Sequence, residues 1–453
     1  MWIIFILVAM DWWKYGKDLC NTHFQEGMGK MDTVVVKWSY LTGMSLGGYG
    51  SAVADLDGDN KYEIIFGSCD GKLYALNSDG TLKWTYSTGK FIYSAPAVAD
   101  IDNDGKVEVV FGSWDSCVHC VNYDGTMKWK YPANSVIYSS PALVDLNKDG
   151  KMETLIGIHD SLHCINYNGE HMWSYNTVGG VIYSAPAVAD IDRDDTLEIV
   201  FGSYNAKVYA LRPNGTLEWE YGTGWSIEAS PVLADIDLDS YDEVIIASYD
   251  QNIYVLRCNG VRWWKRWTSD NYKLYSSPAV ANIDDDPELE LVIGSSDSIV
   301  YAFEPTGGPP KWTSIKLQGE IRRSPTIADI NGDGKNEIIV STYNGKSVYC
   351  LENTIGWPLW KKDLAQNVHD PVVADIDNDG CLEIVVGTSG DFKLYVLDDK
   401  HNITNCSGGI EETISVLCSL SSVFCPLGRR EIKFFVSEPG YINIVLYDIA
   451  GQT

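Results

Sequence analysis

The sequence predicts an all-β chain closed into an eight-bladed β-propeller, and three observations carry the prediction. An acidic nonapeptide recurs eight times, beginning at Asp55, Asp100, Asp145, Asp190, Asp235, Asn282, Asp329 and Asp375, at spacings of 45 to 47 residues. Each copy is preceded by a strand-like run such as IYSAPAVADI and followed by runs such as EVVFGS, KLYALNSDG and TLKWTY, which gives four short strands per repeat. A tryptophan-bearing strand also occurs eight times, at Trp38, Trp84, Trp129, Trp173, Trp219, Trp264, Trp312 and Trp360. Its first copy precedes the first acidic loop, and the last unit, ending KLYVLDDK, lacks one. Four-stranded repeats of roughly 40–50 residues are propeller blades, and the β-rich pattern excludes helical solenoids. The offset tryptophan strand means that Val34 to Tyr40 is expected to complete the last blade, closing the ring through hydrogen bonds.

Taken in order, residues 1–10, MWIIFILVAM, are an apolar run too short to span a bilayer. We read them as the core of a secretory signal peptide, shortened at its start because the usual basic segment is missing, with a buried strand or a chance apolar start as the alternative. Residues 11–33 form a lead segment, 34–400 the eight blades, and 401–428 a Ser-rich linker that breaks the repeat. In that linker Cys406, Cys418 and Cys425 could pair or belong to a disordered stretch; residues 429–453 begin a further β module too short to bury its own core.

The chain has 453 residues, 45% of them hydrophobic, enough for a large core. Its formal charge of −28 and the lack of any Lys/Arg run argue against nucleic acid and anionic membranes and favour a cationic partner. No further segment is apolar and long enough to span a membrane in the mature chain. The eleven cysteines are scattered singly and show neither zinc nor haem spacing.

The acidic loops carry the clearest chemistry. Oxygen donors at positions 1, 3, 5 and 9 are Asp55, Asp57, Asp59 and Glu63; Asp100, Asp102, Asp104 and Glu108; Asp145, Asn147, Asp149 and Glu153; Asp190, Asp192, Asp194 and Glu198. The later loops supply Asp235, Asp237, Asp239 and Glu243; Asp329, Asn331, Asp333 and Glu337; and Asp375, Asp377, Asp379 and Glu383. With a backbone carbonyl at position 7, such hard oxygen sets suit calcium, expected as several structural ions in five to seven of the loops. A helical EF-hand is rejected because the Glu stands at position 9 and strands flank the loop. Position 6 is Gly105, Gly150, Gly334, Gly380 or Asn60, which tolerate positive φ, but Asp195, Ser240 and Pro287 elsewhere. The loop from Asn282, with a neutral first donor and Pro287, is expected to bind most weakly.

On the face opposite these loops the repeat places Tyr93, Tyr138, Tyr183, Glu228, Tyr275 and Arg322 at equivalent positions near the central channel. Trp114, Tyr204, Tyr249 and Tyr343 stand on neighbouring turns. These rings either pack between blades or clasp a sugar or peptide. Glu228 and Arg322 break the repeat and are the more informative pair. His119 and His163 replace Tyr74 and Tyr209 of other blades, so core packing is expected of them. Strand alternation splits Cys117, His119 and Cys120 between sheet faces, which excludes a tetrahedral zinc site. The eight tryptophans are expected to dock between blades, each indole N–H meeting a backbone carbonyl.

The DxDxDGxxE loops between strands, with FGS following at Phe66, Phe111 and Phe201, resemble the FG-GAP or VCBS repeats of integrin-type propellers. The segments YALNSDGTLKW and YALRPNGTLEW are similar to PQQ-binding-like eight-bladed propellers, and DWWKYGKDLCNTHF from Asp11 to their first segment. That resemblance implies a mature N-terminus near Asp11. The adjacent Cys-Cys pair typical of quinoprotein dehydrogenases is missing, so PQQ is not expected. REIKFFVSEPGYINIVLYDIAGQT from Arg430 resembles the start of type IX secretion sorting domains and FlgD-type Ig-like modules.

The resulting expectation is a secreted or cell-surface, calcium-stabilised propeller that binds an extracellular protein or polysaccharide without catalysis. One alternative is a carbohydrate-active enzyme such as a polysaccharide lyase, whose base and cation cluster would have to come from Glu228, Arg322, Arg323 and His369, and another is a passive repeat scaffold for a C-terminal partner domain.

Overall fold

The computed structural model describes residues 14–400 apart from 49, 269–271 and 285. The signal-like run, the linker with its three cysteines and the sorting-like segment lie outside the described residues. Among the described residues the chain is all-β, and its strands form eight sheets. Blades 1 to 8 begin with the short inner strands Ala52–Ala54, Ala97–Ala99, Ala142–Val144, Ala187–Ala189, Val232–Ala234, Ala279–Ala281, Thr326–Asp329 and Val372–Ala374. Within each blade the strands follow as an antiparallel meander. Val34–Leu41 pairs with Lys393–Asp399, so the outer strand of blade 8 comes from the start of the chain, as the offset tryptophan predicts.

Each inner and second strand is buried on both faces, because it packs against the neighbouring blades on either side. Ile65 and Leu73 of blade 1, for instance, share a cluster with Val109 and Phe111 of blade 2. The outermost strands alternate between half-buried and exposed residues. The tryptophans on them fasten the seams: their indole N–H groups donate to carbonyls of Ser78, Tyr123, Tyr167, Pro213, Cys258, Pro305, Asn353 and Met31 at 2.6–3.1 Å. Gly125 shows why the facing turn has its composition. Its φ is +81°, and a Cβ there would lie 2.7 Å from the Trp84 ring.

The lead segment is more deeply integrated than the repeat reveals. Carbonyls of Leu19, Cys20, Thr22 and His23 accept the N–H groups of Val188, Leu233, Val280 and Ile327 at 2.8–3.0 Å, one from the inner strand of each of blades 4 to 7. In blades 4 to 6 these N–H groups belong to inner strands with no further strand beside them, so the lead segment supplies the partners they would otherwise lack. Asn21 Nδ2 donates to the Pro231 carbonyl at 3.0 Å, while its Oδ1 accepts from the buried Lys14 ammonium at 2.7 Å. Tyr15 reaches Ser277 and Ser324. Phe24–Met28 then adds in parallel to Thr326–Asp329 as a fifth strand of blade 7. Tyr15 also packs with Ala95 and Ala185, so the segment crosses the centre of the ring.

Candidate functional site

The start of every inner strand meets one face of the ring and its end runs into an acidic loop on the other. Those three or four residues therefore place the tyrosine-rich positions and the carboxylates on opposite faces, as the sequence implies.

On the loop face the position 9 glutamates are buried, and in all eight loops one oxygen accepts the backbone N–H of loop residue 2 at 2.9–3.2 Å. The aspartate at position 1 accepts N–H groups of residues 5 and 6, as Asp100 does from Asp104 and Gly105. Asp195 and Ser240 adopt φ of +68° and +76°, so the glycine-like turn forms without glycine. The loop with Pro287 lacks this pattern: Asn282 Nδ2 donates instead to the Asp286 carbonyl. Burial raises the pKa of all eight glutamates, to about 7 for Glu153, Glu243 and Glu290 and about 8 for Glu198, Glu337 and Glu383.

The sequence reading missed that five loops contain a basic side chain. Lys83 pairs with Asp57 and Glu63, Lys128 with Asp102 and Glu108, and Lys37 with Asp377 and Glu383. Arg257 pairs with Asp237 and Glu243, and Lys311 with Asp284. Four of these cations directly precede a seam tryptophan, so alternation along the outer strand sends the indole to one side and the ammonium toward the loop. The charges are matched: each loop with a resident cation has aspartate at position 3, whereas the loops with Asn147 and Asn331 have Met172 and Leu359 at the lysine position.

The blade 4 loop breaks this balance. It has Asp192 at position 3, yet Glu218 occupies the lysine position. Asp190, Asp192 and Asp194 bring carboxylate oxygens within 4.8 Å of one another. Asp192 Oδ1 and Glu218 Oε2 are both buried without a hydrogen-bond partner. Arg212 stands 3.8 Å from Glu218, too far for a hydrogen bond. This oxygen-only set with two unsatisfied acceptors fits a divalent hard cation.

The opposite mouth is lined by aromatic rings in file. Tyr93 stacks on Trp114 with centroids 5.0 Å apart, and Trp114 meets Tyr138 at 5.4 Å. Tyr138–Tyr183, Tyr183–Tyr204, Tyr204–Tyr249 and Tyr249–Tyr275 follow at 4.8–5.7 Å. The Arg322 guanidinium then lies 5.1 Å from the Tyr275 ring and 4.6 Å from that of Tyr343. Most of these rings are half-exposed, and Tyr204 is 36% exposed. The Trp114 indole N–H is buried without a partner. The crescent is interrupted where blades 1 and 8 have Gly48 and Val368 in place of the tyrosine.

Of the four repeat-breaking residues considered for catalysis, Arg323 and His369 lie within electrostatic reach of each other, while Glu228 and Arg322 are engaged by other partners. Glu228 accepts from the hydroxyls of Tyr204 and Tyr249, and Arg322 pairs with Glu320 at 2.6 Å. Arg323 stands 3.8 Å from the buried Asp370, and His369 Nε2 contacts Ser389 Oγ at 2.9 Å. Burial, reinforced by Arg323, pushes the His369 pKa down to about 3. Among the described residues no hydrogen bond or ion pair joins Glu228, Arg322, Arg323 and His369 to one another. His119 stacks on Phe111 at 5.3 Å and contacts Asp115 at 3.1 Å, just as Tyr74 stacks on Phe66 and donates to Asp70. It is a core residue, not a zinc ligand.

The fold and both faces define a β-propeller with acidic repeat loops, and the comparisons agree. A family model described as FG-GAP-like repeat matches residues 55–111 and 329–386, and one described as lambda-carrageenase beta-propeller domain matches residues 142–221. No curated protein matches the chain. Among solved structures, a europium-containing methanol dehydrogenase is similar at 12% identity and a TM-score of 0.68, covering 86% of this chain and 98% of that one. BamB from Moraxella catarrhalis is similar at 15% identity and 0.58, covering 82% and 98%. The quinohemoprotein alcohol dehydrogenase from Comamonas testosteroni is similar at 13% and 0.64, covering 86% and 80%. At these identities the likeness is one of fold. In the channel, the cavity lined by Tyr15, Gly16, His23, Gly50, Ser51 and Asp370 is about the size of a single water, so a tricyclic quinone does not fit there.

Proposed function

We propose that this protein is a secreted or cell-surface propeller, stabilised by calcium on its loop face, that binds an extracellular protein or polysaccharide at its aromatic mouth without catalysis. The observation that carries this reading is the file of mostly half-exposed rings from Tyr93 to Tyr343, which includes the Arg322 guanidinium near its end. Large rigid rings supply contact area at little entropic cost. A catalytic reading would need an acid or base beside a cation, and the candidate base that lies near one, His369 beside Arg323, is buried, while Glu228 makes no ion pair with any described residue.

On the loop face we place the tightest calcium site in blade 4 and further sites in blades 3 and 7, where no basic side chain enters the loop. The five loops with a resident Lys or Arg bind more weakly.

The test is a double variant, Trp114→Ala with Tyr138→Ala, compared with the unaltered chain on panels of extracellular proteins and polysaccharides. At least a tenfold loss of a specific interaction, with thermal stability retained, supports the mouth. Unchanged binding removes it. The match of residues 142–221 to a carrageenase propeller model favours the enzyme as a second reading. Release of oligosaccharides from a polysaccharide by the purified chain would establish it.

A further inference from the structure

We propose that the arc of the mouth around Glu228 is a cation cage that takes the alkylammonium group of a lysine side chain from a protein partner; this rests on the mouth being the binding face. Where four neighbouring blades have tyrosine, blade 5 has Glu228, and its carboxylate sits among rings. Tyr204 donates to Glu228 Oε2 at 3.2 Å, and the Tyr249 hydroxyl donates to the same oxygen. Tyr183 meets the Tyr204 ring at 4.8 Å and Tyr275 meets that of Tyr249 at 4.9 Å, so the two tyrosines that hold the carboxylate are each continued by a further ring.

Charge pairing singles this carboxylate out. At the same mouth Glu320 is held by Arg322, and Asp370 stands against Arg323, so both anions are compensated internally. Glu228 makes no ion pair within 4.0 Å with any described residue, and its two hydrogen bonds both fall on one oxygen. The second oxygen, Oε1, is left to meet a donor from outside.

The π faces in this arc already attract cations. Lys273 lies 4.5 Å from the centroid of Tyr249 and 5.0 Å from that of Trp225, at the edge of the arc, without reaching Glu228. A carboxylate among electron-rich rings is the recipe for an ammonium, which gains both the charge and the ring quadrupoles. The net charge of −28 favours approach of a basic partner over an acidic polysaccharide.

The experiment titrates the full chain, with calcium present, with three probes followed by ligand NMR: Nα-acetyl-lysine amide, the uncharged Nα-acetyl-norleucine amide, and methyl glucoside. The expected result is millimolar binding of the lysine derivative alone. Glu228→Gln, which preserves acceptors for the tyrosine hydroxyls, is expected to weaken it at least tenfold, and Lys273→Met, which removes the competing resident cation, to tighten it two- to fivefold. Leu82→Ser, at an exposed position on the outer strand Leu82–Ser87 of blade 1, is expected to leave it unchanged. Equal affinity of Glu228→Gln and the unaltered chain overturns the cage. Binding of the glucoside without the lysine derivative, lost in Tyr93→Ala, also overturns it while the mouth stands as a binding face. Failure of all three probes overturns both.

Discussion

Replacing Glu218 with lysine converts the blade 4 loop into the arrangement seen in blades 1 and 2. Lys83 and Lys128 place their ammonium groups 3.0 and 2.8 Å from the position 9 glutamates of their loops, and position 218 is equivalent in the repeat. At about 3 Å and an effective dielectric near 20, the attraction to one carboxylate is on the order of 5 kcal/mol before desolvation. The Glu218 side chain is 20% exposed, and the new ammonium loses hydration, so a net gain of about 2 kcal/mol is the reasonable expectation without metal. Unfolding entropy of about 2.1 cal/mol/K per residue, over roughly 390 folded residues, converts this to a rise in Tm of about 2–3 °C in chelator. The same ammonium should occupy the place of the ion. Calcium titration by calorimetry is therefore expected to show one tight site fewer in Glu218→Lys, and added calcium to raise its Tm less than that of the unaltered chain. If the variant binds as many calcium ions with the same affinities, the charge-balance reasoning is wrong.

Three other perturbations follow from the same structure. Gly125→Ala places a Cβ 2.7 Å from the Trp84 ring at a φ of +81°, and denaturant unfolding should show a loss of about 2–4 kcal/mol, because backbone strain and seam displacement add. Asn21→Ala removes the acceptor of the buried Lys14 ammonium and the donor to Pro231; an expected cost of about 3 kcal/mol would appear in chemical denaturation, and a change below about 1 kcal/mol would mean that the lead segment does not fasten the channel. The buried glutamates set the pH dependence. Glu153, Glu198 and Glu337 have folded pKa values of about 7, 8 and 8, above the ordinary 4.5, so the native state binds their protons more tightly than the unfolded chain does. Their contribution to stability is full below about pH 4.5 and is lost as pH rises toward 8. Melts in chelator are accordingly expected to fall between pH 5.5 and 8.5, and saturating calcium, which binds the ionised form, to remove that fall.

Much of this architecture is legible in the sequence because a propeller repeats its physics. The recurrence of Asp55, Asp100 and their equivalents fixes the blade period, and the displaced Trp38 reveals that the ring closes with the strand at Val34. Tryptophan docking could be read as well, since a large apolar side chain with one N–H on an outer strand needs both a wall and an acceptor. The lead segment was not legible: Leu19, Cys20, Thr22 and His23 act through their carbonyls, which no side-chain pattern reports. The resident lysines were visible as Lys–Trp pairs at 37–38, 83–84, 128–129 and 311–312, but their role depends on the outer strand directing one side chain to the seam and the next to the loop. Arg257 reaches the equivalent point from just beyond the third strand of blade 5, at the repeat position where blade 4 has Arg212, so its role depends on where the side chain is directed. At the mouth, the repeat supplied the ring positions, whereas the pairing of Arg322 with Glu320, and the absence of such a pair at Glu228, depend on local geometry.

The claim on which the loop-face account depends is that acidic charge left uncompensated by Lys or Arg is answered by calcium. The most direct measurement is bound calcium per chain after desalting, combined with thermal unfolding in excess calcium and in chelator. The account predicts at least one retained ion per chain, more bound on titration, and a marked loss of stability on chelation. No retained calcium and coincident melts would contradict it, and the acidic loops would then be turns held by their own hydrogen bonds.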